Sequence, residues 1–186
     1  MPNSYVVRLA RRHAQLLIVD IQERLLPQIA DHARVVAAAE QMIRAAAVLD
    51  LPVTLSEQYP RGLGPTTPAI AAAAAGAPRL EKLTFSFCAD KKCRERIAAV
   101  LRPQVLLVGI EAHVCVYQTA LDLLEMQMQP VVLADAVGSR RVLDYQVALD
   151  GLRAAGAVVT TVESAIFQLL HESGTELFKR MLPLVK

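Results

Sequence analysis

Three residues of different chemistry close three apolar segments: Asp20 in LLIVDIQ, Lys82 in RLEKLTFSF and Cys115 in VLLVGIEAHVCVYQTALDLL. A thiol attacks only as its thiolate, and the first turn of a helix favours that anion through its dipole and its free N–H groups. The same N–H groups can hold an oxyanion. Cys115 follows an apolar run and Gly109 and falls where a helix should begin, so its thiol is expected to ionise below the ordinary value of about 8.5. A carboxylate that ends an apolar run, as Asp20 does, is partly desolvated and suited to accept a proton. Each residue also has a plainer role: Cys115 as a small core residue, Asp20 as a turn or helix cap, Lys82 as a solvated surface residue. Three groups delivered to one edge by three separate strands point instead to a shared crevice.

Several neighbours are candidates for lining that crevice. Gln22, two residues after Asp20, either faces it or solvates a loop. Gln58 and Tyr59 open a Pro- and Gly-containing segment; Gln58 is a candidate for the crevice wall, and Tyr59 either lines it or lies at an interface. Phe85 and Phe87 either form an apolar side or pack into the core. His113 lies two residues before Cys115 and in a helical turn points away from the thiol. The four His, at 13, 32, 113 and 171, are scattered, and Cys88 and Cys93 are too isolated to make a zinc site. Neither is close in sequence to Cys115, where it would have to resolve a sulfenic acid. No metal and no cofactor is expected.

The elements that must position these groups follow from the hydropathy pattern. Short continuous apolar runs alternate with longer stretches of helical periodicity, as in parallel strands covered on both faces by crossover helices. Strands are expected at Gln15–Asp20, Val53–Ser56, Arg79–Lys82, Val105–Gly109, Val131–Ala134 and Val158–Thr161. Helices are expected at His32–Leu49, Ala69–Ala75, Lys91–Leu101, Val114–Met126, Arg140–Ala154, Ser164–Leu170 and Thr175–Leu182, with Gly156 as a helix stop. The fold class is therefore α/β: a three-layer α/β/α sandwich on a six-stranded parallel sheet, Rossmann-like, as a single domain over residues 1–186. The segment EQYPRGLGPTTP, Glu57 to Pro68, reads as irregular and follows the second strand, where open sheets place ligands.

Composition narrows the function classes. The chain has 186 residues, 54% hydrophobic and 20% charged, enough for one sizeable core. Its 20 basic and 18 acidic residues interleave to a net charge of +2, and only 4% are aromatic, so no nucleic-acid partner is expected. The apolar runs fall far short of the roughly 20 residues of a membrane span, and the run after Arg12 ends at Asp20 without a cleavage site. Three cysteines make no disulfide framework, which suits a cytoplasmic location. Apolar residues on several faces of Val114–Met126 suggest a homo-oligomer, a dimer or tetramer. A dinucleotide-binding module is disfavoured because IQERLLP, not G-x-G-x-x-G, follows the first strand.

LLIVDIQ, KLTFSF and GIEAHVCVYQTALDL, in that order, resemble three blocks of the isochorismatase-like cysteine hydrolases. SEQYPRGLGPTTP and ADAVGSR resemble the branch of isochorismatase domain-containing and YcaC-like proteins. The likeness runs from about Leu16 to Val162. It implies Asp20 as general base, Lys82 as electrostatic partner and Cys115 as nucleophile, attacking a small amide or carbamoyl substrate to form a thioester. It implies an oxyanion hole from the backbone N–H groups of Glu111 and Cys115, and a non-proline cis peptide bond between Ile110 and Glu111. The Glu111 side chain either enters the pocket or turns out. The Asp-x-His metal motif of nicotinamidases is missing after the second strand, and isochorismatase proper lacks the cysteine. The resemblance thus implies a metal-independent hydrolase of non-peptide C–N bonds; the alternative is a non-catalytic binding protein that keeps the fold.

Overall fold

The computed structural model describes residues 8–185; the ends of the expected 1–186 domain lie outside them. Six strands form one sheet: β1 (Ala14–Val19), β2 (Val53–Gln58), β3 (Arg79–Lys82), β4 (Gln104–Ile110), β5 (Gln129–Gly138) and β6 (Val158–Thr160). They are all parallel, in the order β3-β2-β1-β4-β5-β6. The order reverses between β1 and β4, and a crevice outside the carboxyl ends of strands forms at such a reversal.

Side chains alternate across each strand, so successive residues serve opposite layers. Leu16 and Ile18 of β1, with Leu106, Val108, Val131 and Leu133, pack under α1 (His32–Val48), α7 (Val162–Leu170) and α8 (Glu176–Val185). Leu17 and Val19, with Val105, Leu107 and Val132, pack under α4 (Lys91–Ala99), α5 (Tyr117–Glu125) and α6 (Val142–Ala155). Every β1 and β4 residue is buried, which is why those strands read as unbroken apolar runs.

The expected elements are present, with differences at their ends. β5 runs on past Ala134 to Gly138. Asp135 interrupts its apolar pattern, yet the chain stays extended because Arg34 of α1 donates to the Ala134, Asp135 and Val137 carbonyls. The Asp135 carboxylate in turn accepts from Val162 N at 2.9 and 3.1 Å, at the start of α7. The segment read as irregular contains a turn of helix, α2 (Pro60–Leu63), before the Ala-rich α3 (Pro68–Ala73). Pro60 at its first position suits a helix start, because proline has no N–H to lose there. The Ile110–Glu111 peptide bond is cis.

Gly109 controls how closely β4 approaches β1. It has φ +124°, and a Cβ there would stand 2.0 Å from the Val19 carbonyl oxygen. Only glycine fits, and the pairing of Val19 with Gly109 carries the chain ends after β1 and β4 side by side.

Candidate functional site

Asp20 leaves β1 with φ 51° and is wholly buried. Its carboxylate is held on both oxygens: Ser56 Oγ donates to Oδ1 at 2.7 Å and Lys82 Nζ to Oδ2 at 2.7 Å. Neither side chain of the Lys82–Asp20 pair is exposed. Lys82 Nζ also donates to Gln58 Oε1 at 2.7 Å and to the Phe85 and Thr84 carbonyls at 3.1 and 3.3 Å. Burying two charges costs more than their attraction returns unless the remaining protons find partners, and here the ammonium's do. The segment after Lys82 is fastened to α5: Ser86 Oγ donates to Asp122 at 2.6 Å and Phe87 N to Thr119 Oγ1 at 2.9 Å.

Cys115 sits in a single π-helical turn, Ala112–Val116, between β4 and α5. Such wide turns recur at functional sites. The Glu111 carbonyl accepts from Val114 N at 3.1 Å and Val116 N at 3.2 Å, passing over the N–H of Cys115 between them. The thiol is 5% exposed and is pushed up to about 12, first by burial and then by the Asp20 charge, with Lys82 and the Glu111 N–H pulling the other way. This reverses the expectation of an acidic thiol. Cys115 belongs to the wide turn that precedes α5, and desolvation outweighs the dipole.

Glu111 turns its side chain out of this cluster. Oε2 accepts from Arg140 N at 2.9 Å and Arg140 Nε at 3.1 Å, so only its main chain faces the thiol. His113 also turns away, with Nδ1 3.0 Å from Ser139 Oγ and Nε2 3.9 Å from Asp144. Cys88 and Cys93 are buried free thiols, both raised to about 12 by desolvation.

Two candidate wall residues lie elsewhere, Phe87 in the core as its second reading allowed. Phe87 is 0% exposed in the core beneath α4 and α5, where an aromatic ring gains most from burial. Gln22 is also 0% exposed: its Nε2 donates to the Gln58 and Gly64 carbonyls at 3.0 and 2.6 Å, and its Oε1 accepts from Gln58 N at 2.7 Å. It neither lines an opening nor meets solvent, because its amide replaces a stretch of backbone pairing. Buried Glu57 ties the same loop down by accepting from Thr66 N and Oγ1, both at 2.6 Å. Tyr59 and Phe85 are about half exposed. A cavity of about 400 Å³ lies between Tyr59–Arg61 and Glu81–Thr84; Lys82 forms part of its wall and Cys115 does not. Ser56 and Arg140 escaped sequence reasoning. The available signals were a hydroxyl at the polar end of β2 and an arginine just after ADAVGS.

Among the described residues no three His, Cys, Asp or Glu side chains gather as a metal site requires, and no helix is long and apolar enough to cross a membrane. Residues 14–164 match the isochorismatase domain model. Isochorismatase domain-containing protein 2A of Mus musculus is 39% identical over 171 residues, covering 92% of this chain and 82% of that protein. A Caenorhabditis elegans structure described as MAR1 ribonuclease is 35% identical with a TM-score of 0.90, covering 96% and 92% of the two chains. The Escherichia coli YcaC gene product, described as an octameric hydrolase of unknown specificity, shares the fold at 24% identity with a TM-score of 0.88, over 95% and 92%.

Proposed function

Given that this chain belongs to the isochorismatase-like hydrolase family, we propose that it is a metal-independent cysteine hydrolase of a small amide or carbamoyl compound, with Asp20, Lys82 and Cys115 as its catalytic residues. The observation that carries this reading is a buried thiol set beside a carboxylate that an ammonium and a hydroxyl already hold in place. A thiol near 12 is inert at neutral pH until a base takes its proton. Asp20 is that base. The thiolate attacks the carbonyl carbon, and the oxyanion rests on the N–H groups of Glu111 and Cys115. Collapse of the adduct breaks the C–N bond and leaves a thioester; ammonia or an amine departs with the proton from Asp20. The same carboxylate then deprotonates a water that hydrolyses the thioester to the free acid and restores the thiol.

The segment SEQYPRGLGP, from the end of β2 into the following loop, lacks the Asp-x-His metal motif, which supports chemistry run by the protein's own groups. Exposed Leu83, Phe85, Val142, Leu143 and Val147 support a homo-oligomer, which a light-scattering mass equal to one chain would exclude.

The test is a screen of small amides and hydroxamates, followed by intact mass, on the native protein and Cys115→Ala. Turnover or an acyl adduct that requires Cys115 is expected. Equal behaviour of the two proteins would favour the binding-protein alternative. An RNA-cleavage arm, included because one structural neighbour is described as a ribonuclease, is expected to show no difference from buffer.

A further inference from the structure

The hydrogen bonds at Gln22 and Gln58 form a closed circuit with the ion pair. The chain passes from Asp20 to Gln22; the Gln22 amide grips both the N–H and the C=O of Gln58. Gln58 Oε1 accepts from Lys82 Nζ at 2.7 Å, and Lys82 returns to Asp20. Gln58 Nε2 is spent on the Leu83 carbonyl at 2.9 Å, just past the lysine. Both ends of each amide are thus engaged with protein groups. Gln22 Nε2 spends both of its hydrogens on the Gln58 and Gly64 carbonyls and is wholly buried, while the Gln58 oxygen is turned inward to Lys82.

We infer that Gln58, anchored by Gln22, is a positioning residue that sets the share of Lys82 available to Asp20, and does not contact substrate. Its neutral oxygen competes with the carboxylate for the ammonium's protons without adding charge. Replacing it by a carboxylate would divide Lys82 between two anions, and a second anion near a carboxylate makes that carboxylate harder to ionise. The inference rests on the proposed role of Asp20 as the base for Cys115. Lys82 is bonded to Asp20, and the thiols of Cys115 and Cys93, which feel its charge, are both raised to about 12, so neither of them titrates in the acid range.

The experiment follows alkylation of Cys115 by iodoacetamide against pH, resolved by peptide mass spectrometry from Cys88 and Cys93. The unaltered protein is expected to show a rate that rises through one acid midpoint to a plateau. Gln58→Glu should move that midpoint up by about one pH unit while the reagent concentration for half-saturation stays unchanged. Gln58→Asn, one methylene too short to reach Lys82, should lower the plateau rate about tenfold, and it decides the matter should the glutamate variant not fold. An unmoved midpoint with a lower melting temperature, or a change confined to half-saturation, would overturn the inference. A profile in the unaltered protein that lacks an acid limb and only climbs toward pH 12 would remove Asp20 as base, and the role of Gln58 with it.

Discussion

Replacing Gly109 by alanine tests whether the close approach of β4 to β1 builds the site. The added methyl would stand 2.0, 2.7 and 2.8 Å from the O, C and N of Val19, all backbone atoms of a central strand with no rotamer by which to yield. Two costs combine. A non-glycine residue held at φ +124° is strained by about 1–3 kcal/mol, and forcing an extra carbon into a packed interior costs another 1–3 kcal/mol or so. Gly156, which ends α6 at φ +102° with nothing within 4 Å of its would-be Cβ, carries the first cost alone. Gly109→Ala is therefore expected to lose about 4 kcal/mol, near 10 °C in melting temperature for a chain of this size, against about 1 kcal/mol for Gly156→Ala. The strands can relieve the overlap only by parting where Asp20 leaves β1, so alkylation of Cys115 should slow in the first variant and not in the second. Urea unfolding of both, with alkylation rates at pH 7, makes the comparison. Losses within 1 kcal/mol of each other would refute the close-approach reasoning.

The other expectations concern charge. Lys82→Met orphans a wholly buried carboxylate and should cost about 3–5 kcal/mol; adding Asp20→Asn should recover at least half of that, and simple additivity in denaturant titrations would sink the coupling. Cys88, Cys93 and Cys115 are each raised from 9.0 to about 12, so between those values the unfolded chain binds fewer protons than the folded one. Stability is then fully present below pH 9 and falls above it, by up to about 4 kcal/mol per pH unit once all three unfolded thiols ionise; a flat unfolding free energy from pH 8 to 10.5 would contradict this. Arg140→Ala should cost about 1 kcal/mol, because its guanidinium is half exposed, yet slow alkylation of Cys115 by freeing the Glu111 charge. An unchanged rate would show that Glu111 acts through its main chain alone.

Much of the scaffold was legible because burial on both faces writes itself into sequence. Every residue of β1 and β4 is apolar or tightly bonded, and a short unbroken apolar run between helical stretches fits a strand covered on both sides. The same rule hid the end of β5, where Asp135 looks like a stop but accepts from the first N–H of α7. The residues at the sheet's edge were legible by type and position. Their partners were not, because Ser56, Gln58 and Arg140 act through bonds to residues 24 to 36 positions away. The raised Cys115 thiol is hidden from the sequence for a related reason: helix position can be read locally, whereas burial and the Asp20 charge, which come from distant segments, cannot. Gln22 illustrates the limit most plainly. A glutamine in a loop is normally wet, and only the path of a segment 36 positions away turns it into a buried clamp.

The Lys82–Asp20 pair reaches across an intervening strand, since β2 lies between β3 and β1. Its two members come from positions 62 apart, and Cys115 is delivered by yet another strand. No local fragment contains the assembled cluster. A chain cut short before β4 lacks Cys115 altogether, so its Asp20 and Lys82 have no thiol to join. The cluster is thus coupled to topology: the sulfur meets Asp20 and Lys82 only when β1 is flanked by β2 on one side and β4 on the other.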